Sequence, residues 1–157
     1  MGSHILDSLR ARGLEVRVAL RKSSNRRFIE PHLSHVELCE GNIGDPASLA
    51  RAMDGVTHVI HSAGATRAKC DAQFYEINQG GTRNVIEAVN SHQGEISRIV
   101  HISSLAASHP APAAAPAREE DASAPVSEYG MSKLAAEREV LERCKVPFTI
   151  VRPPAVY

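Results

Sequence analysis

Residues 57–103 read THVIHSAGATRAKCDAQFYEINQGGTRNVIEAVNSHQGEISRIVHIS, and this stretch decides the fold. A short apolar run at 57–61 stops at Ala63-Gly64, a long helical stretch follows over about 70–90, and a second apolar run at 98–103 closes the unit. Short runs rich in Val and Ile and bounded by turn residues predict strands, and a helical stretch between two of them predicts a βαβ crossover. Such a crossover joins parallel strands, and a parallel sheet is covered on both faces.

The same alternation continues outward from this unit. Upstream, Ile5-Leu6-x-x-Leu9 begins a helical stripe that stops at Gly13. Residues 15–20 (EVRVAL) and 36–39 (VELC) read as strands. Asp45-Pro46 supplies an N-cap and a first-turn proline for a helix that runs to about Met53 and closes near Gly55. Downstream, 126–144 predicts a second long helix, and 148–152 (FTIVR) a last strand stopped by Pro153-Pro154. The class is therefore α/β, a doubly wound parallel sheet with helices on both faces, and ligands of such sheets bind beyond the carboxyl ends of the strands.

Bulk properties exclude several function classes. The 157 residues make about one domain, and 43% hydrophobic with 23% charged residues suits a globular core. Eighteen basic and eighteen acidic side chains cancel, so no global field favours nucleic acid or an anionic membrane. No apolar run approaches the ~20 residues of a membrane span, and no signal-peptide core is present; a cytoplasmic location is expected. Cys39, Cys70 and Cys144 are odd in number and in no metal-like spacing, which reads as buried, reduced thiols. His58 and His61 fall on opposite faces of a strand, so no metal is expected there.

Two features bear on chemistry. Tyr129-Gly-Met-Ser-Lys133 puts a phenol and an ammonium one turn apart on one helix face, and Ser104 follows the strand at 98–103. An ammonium near a phenol favours the phenolate, and a hydroxyl opposite it can hold a substrate oxygen, so the three suit carbonyl/alcohol proton transfer. A Tyr–Lys pair alone is also compatible with a plain surface pair on an amphipathic helix. Between serine and tyrosine lies an Ala/Pro-rich segment, about 106–127, where Pro110, Pro112, Pro116 and Pro125 exclude a continuous helix. It reads as a solvated connector and, because it joins the serine strand to the tyrosine helix, as a loop covering the site.

Five motifs in order resemble the extended short-chain dehydrogenase/reductase family, the NAD-dependent epimerases/dehydratases. They are His61-Ser-Ala-Gly64, Asn78-Gln-Gly-Gly-Thr82-Arg-Asn84, His101-Ile-Ser-Ser104-Leu-Ala-Ala, Tyr129-Gly-Met-Ser-Lys133-Leu-Ala-Ala-Glu137 and Arg152-Pro-Pro-Ala-Val-Tyr157. The resemblance covers essentially the whole chain and implies a Rossmann-like fold and hydride transfer at a nicotinamide. Tyr129 is the expected general acid/base, Lys133 its tuning ammonium and a ligand of the nicotinamide ribose, Ser104 the group that orients the reacting oxygen, and Asn78 a brace. Ser62, Ala63 and Gly64 are expected at the cofactor's ribose and phosphates, and Pro153 and Pro154 near the nicotinamide.

At its ends the chain departs from the family pattern. The family opens on a strand and a Gly-x-x-Gly-x-x-Gly turn; here Gly2 matches the third glycine, or else Met1-Gly2-Ser3-His4 is an added leader. The family continues past Val-Tyr into a substrate domain. The expectation is a partial NAD(P)-binding domain over 1–157, lacking the first strand and the C-terminal substrate domain, which binds cofactor poorly. At the end of the strand at 15–20 stand Arg21, Lys22 and Arg26 with no acid, which favours NADP over NAD, with Arg21 at the extra phosphate. Asn42-Ile43 occupies the adenine-binding place usually held by Asp and an apolar residue. Ala155 replaces the asparagine usual in sugar-nucleotide enzymes, and the motif resembles that of relatives acting on hydroxysteroid-like or flavonol-like alcohols and ketones, so a dehydrogenase/reductase of an alcohol or ketone is expected, with a nucleotide-sugar epimerase/dehydratase as the alternative. A non-catalytic dinucleotide sensor or an inactive fragment is the alternative of another class. The family also implies a small-molecule substrate and a homodimer through the helices at about 70–90 and 126–144.

Overall fold

The structure, a computed structural model, describes residues 1–112 and 114–154. Helix α1 (Gly2–Ala11) leads to strand β1 (Arg17–Leu20), a 3-10 segment (Arg27–His35) and β2 (Glu37–Glu40). Helix α2 (Pro46–Met53) and β3 (His58–His61) come next. A continuous helical rod then comprises α3 (Asp71–Phe74), a π-turn (Tyr75–Gly80) and α4 (Gly81–Ser91). Strand β4 (Arg98–Ile102), a 3-10 turn (Leu105–Ala107), α5 (Glu128–Arg143) and β5 (Phe148–Val151) complete the order. The predicted caps are in place: Asp45 accepts from the Ala47 amide at 3.1 Å, Pro46 opens α2, and Gly13 and Gly55 take positive φ beyond α1 and α2.

All strand pairings are parallel, as the βαβ reading requires, but the sheet comes in two pieces. Strand β1 pairs with β2, and β3, β4 and β5 form a second sheet in that order. Among the described residues no ladder joins β1 to β3, so each keeps one edge free. Ile99, His101 and Ser103 alternate onto one face of β4, where they are buried beneath α4 and α5. Ile99 packs there with Val85, Ile86, Val89 and Val140, each 3% exposed or less. Burial of each such side chain contributes about 1.5–3 kcal/mol. The opposite face carries Ile60 and Val151, both exposed.

One expectation is corrected. The thiols are free but not all buried: Cys70 is exposed at the start of α3, and Cys39 and Cys144 are half-buried. Residues 27–35, where the sequence suggests no element beyond the basic turn, form a 3-10 segment despite Pro31. The described residues of the 106–127 stretch carry no helix beyond the 3-10 turn at its start, as its prolines require. No described helix is long and apolar enough to cross a membrane, and no described group of three or more His, Cys, Asp or Glu could hold a metal ion.

Candidate active site

Helix α5 begins at the site because Ser127 caps it, accepting from the Gly130 amide at 3.1 Å. Tyr129 lies in its first turn and Lys133 in its second. Gly130 lets this turn close on the chain after Ser104: a Cβ there would stand 2.2 Å from the Ala106 carbonyl oxygen, inside any tolerable contact. The absence of a side chain at 130 thus brings the tyrosine helix onto the serine strand end. The Tyr129 ring packs against Phe74, with centroids 5.9 Å apart.

Lys133 is 5% exposed and its Nζ donates to the Ile102 carbonyl at 2.9 Å, which fixes the amine at the carboxyl end of β4. Burial pushes its pKa down to about 8, opposed by the charge of Glu137. The two serines have different duties. Ser103 is buried and donates to Glu137, whereas Ser104 is half-exposed and its Oγ accepts only from the Ala106 amide at 3.2 Å among the described residues. The Ser104 hydroxyl proton is therefore the one available to an incoming oxygen.

Asn78 sits in the π-turn, where the widened helix re-aims its side chain. Its Oδ1 accepts from the Ala65 amide at 2.7 Å, and its Nδ2 donates to the Ala65 carbonyl at 3.0 Å and to Ser132 Oγ at 2.9 Å. One amide thus ties the turn after β3 to α5. Behind it, Thr82 Oγ1 donates to the Asn78 carbonyl at 2.6 Å and accepts from His61 Nε2 at 3.0 Å. His61 and His101 are register partners on β3 and β4 with ring centroids 5.1 Å apart. Burial holds His61 at a pKa of about 3 and His101 at about 2, with Lys133 adding to both, so the pair is neutral.

The residues expected at a cofactor are distributed along the strand ends. A Cβ on Gly2 would lie 3.4 Å from Ser62 Oγ, so the start of α1 and the exposed turn Ser62-Ala63-Gly64 come together. Met1 makes no side-chain cap, which leaves the first amides of α1 available to an anion. Asn42 Oδ1 accepts from the Gly44 amide at 3.0 Å in a local turn. Ile43 packs against the core, and its carbonyl accepts from Asn84 Nδ2 at 2.8 Å. Pro153 accepts from the Leu105 amide at 2.9 Å, next to Ser104, and Pro154 is exposed. Arg21 is exposed at the end of β1. Ala155, Val156 and Tyr157 lie outside the described residues. An uncapped helix start, an open turn and a buried lysine at adjoining strand ends fit a dinucleotide.

Sequence reasoning missed three groups. Glu40 is the register partner of Leu20 and lies 3.5 Å from Lys22, so the basic turn has an acid beside it. The parallel pairing of 15–20 with 36–39 was the signal for it. The Glu137–Arg152 pair and the His61–His101 pair were the others; Glu137, four residues past Lys133, shares its helix face.

A parallel α/β sheet carrying a Tyr-x-x-x-Lys helix and a serine at the neighbouring strand end defines a short-chain dehydrogenase/reductase type of site. The profile of the NAD dependent epimerase/dehydratase family matches residues 1–157, and the chain belongs to that family. It is 34% identical over 139 residues to dTDP-6-deoxy-L-talose 4-dehydrogenase (NAD(P)(+)) of Kitasatospora kifunensis, covering 85% of this chain and 41% of that protein. It is 31% identical over 145 residues to UDP-glucose 4-epimerase of Lacticaseibacillus casei, covering 88% of this chain and 42% of that one. The crystal structure of UDP-glucose 4-epimerase from Thermus thermophilus in complex with NAD superposes with a TM-score of 0.83 at 27% identity, over 96% of this chain and 50% of that chain. The chain thus spans less than half the length of these curated relatives.

Proposed function

We propose that this chain carries the catalytic strand ends of a cytoplasmic NAD(P)-dependent oxidoreductase that interconverts a substrate alcohol and ketone. The observation that supports this most is the buried Lys133 amine, one turn from Tyr129 and bonded to the Ile102 carbonyl two residues before Ser104. A bound nicotinamide supplies the hydride acceptor or donor. Tyr129 takes the proton of the substrate hydroxyl in oxidation and returns it to the carbonyl oxygen in reduction. Lys133 places its amine one turn from Tyr129, and Ser104 donates to the reacting oxygen as charge develops on it. Asn78 keeps the turn after β3 against α5. Gly2, Ser62, Ala63 and Gly64 would hold the pyrophosphate and ribose, Asn42 and Ile43 the adenine, and Pro153 and Pro154 the nicotinamide side.

Arg21 suits the extra phosphate of NADP, whereas Glu40 at the next strand end suits the ribose hydroxyls of NAD; we take NADP as preferred and NAD as accepted. A nucleotide-sugar substrate is the second reading, favoured by the names of the two curated relatives. Reduction of simple ketones and of a dTDP-4-keto sugar, each with NADPH and with NADH, separates these readings. Ser104→Ala is expected to lower turnover about 10²-fold on the preferred pair. Turnover unaffected by Ser104→Ala would remove the serine from the reaction.

A further inference from the structure

Glu137 lies one turn beyond Lys133 on α5 and is 2% exposed. A carboxylate buried to this degree is costly unless its lone pairs are filled. They are filled from two strand ends. Ser103 Oγ donates to Oε1, Arg152 Nε donates to Oε1 at 2.9 Å, and Arg152 Nη2 donates to Oε2 at 2.6 Å. The same Nη2 also donates to Ser123 Oγ at 2.9 Å, inside the 106–127 segment. Main-chain bonds run alongside: the Ser103 amide donates to Val151 and the Leu105 amide to Pro153.

We propose that Glu137 is a positioning residue with two duties beneath Lys133: it ties the ends of β4 and β5 and Ser123 together, and its carboxylate offsets the Arg152 charge there, so that Ser104 and the lysine keep a fixed relation. The inference concerns the site of the proposed oxidoreductase, but it rests on contacts that exist whatever the reaction.

Glu137 also sets the charge felt by the lysine. The titratable groups about Lys133 are Tyr129 one turn before it and Glu137 one turn beyond it on its own helix, His61 on β3 and His101 on β4, with Arg152, just past the end of β5, behind Glu137. Both imidazoles are neutral near pH 7, so the Glu137–Arg152 pair supplies the charge at the site. Removing the carboxylate leaves Arg152 unopposed and drives the Lys133 titration to lower pH. A Glu137 that served only as a staple would act the other way, because loosening admits water and returns a buried lysine toward its ordinary range.

The test is a pH titration of 13Cε-labelled lysine by NMR, in which the four lysines are Lys22, Lys69, Lys133 and Lys145, and Lys133→Arg identifies the signal. The expected result is a wild-type midpoint near pH 8 that moves down in Glu137→Gln and stays in place in Ser123→Ala. A midpoint that stays or moves up in folded Glu137→Gln overturns the proposal. Should that variant not fold, Arg152→Lys keeps the charge but breaks the two-pronged bond. Exchange of the Leu105 amide is then expected to quicken about tenfold while that of Ile99 is unchanged. Equal Leu105 exchange in Arg152→Lys and wild type would also overturn it. Neither readout requires turnover, so failure here is distinct from failure of the proposed activity.

Discussion

At the residue scale, the site is built from buried groups whose pKa values desolvation pushes down. Lys133 is buried with a backbone carbonyl for a partner, and two neutral imidazoles lie behind it. His101 is fully buried, and neither ring nitrogen has a hydrogen-bond partner among the described residues. Such an imidazole makes stability depend on acid. Its folded pKa is depressed, so above the unfolded value of 6.5 it contributes nothing, and below it the unfolded chain binds the proton and gains. Each of His61 and His101 is then expected to cost about 2 kcal/mol between pH 7 and pH 5. Glu139, with a pKa of about 2, loses its contribution only below about 4.5, so this window belongs to the imidazoles. His101→Leu should halve the loss, as read by urea denaturation at the two pH values. Equal losses in wild type and variant would show that His101 is not held neutral.

At the element scale, much was legible because local chemistry and periodicity agree. The short apolar run at 98–103 gave β4, Asp45-Pro46 gave the start of α2, and glycines 13 and 55 gave two helix ends. What sequence could not give is the π-turn at Tyr75–Gly80, since one extra residue in a helical turn leaves the 70–90 pattern intact. The resemblance brought Asn78 to notice, but its hold on Ala65 and Ser132 depends on that turn. Glu137 likewise read as one more charge on a helix, because its partners Ser103 and Arg152 stand just past the ends of two strands that only the sheet brings together. Asn78→Ala leaves the Ala65 amide and carbonyl without their partner and Ser132 Oγ with its bond to the Tyr129 carbonyl. The expected cost is about 2–3 kcal/mol, with faster exchange of the Ala65 amide. Unaltered exchange at Ala65 would mean that the turn after β3 is held by something else.

At the scale of the whole molecule, one sheet end collects the motifs. Gly2 with Ser62, Asn78 with Ala65, and Ser104 with Pro153 are pairs distant in sequence that parallel strands bring to one side. Helices α4 and α5 cover the inner face of β3–β5, are braced by Glu139 binding Gln79, Arg83 and Arg143, and leave Leu141 exposed outside. We expect a homodimer through those outer faces. Sedimentation equilibrium should show twice the 16.9 kDa chain mass, and a monomer at all micromolar concentrations would contradict it.

The central claim is that Tyr129 handles the proton while a dinucleotide handles the hydride. Tyr129→Phe tests it most directly, measured for NADPH-dependent carbonyl reduction and for NADPH affinity in the same preparation. Turnover is expected to fall by about 10²–10⁴-fold with affinity unchanged. Turnover retained in Tyr129→Phe would contradict it.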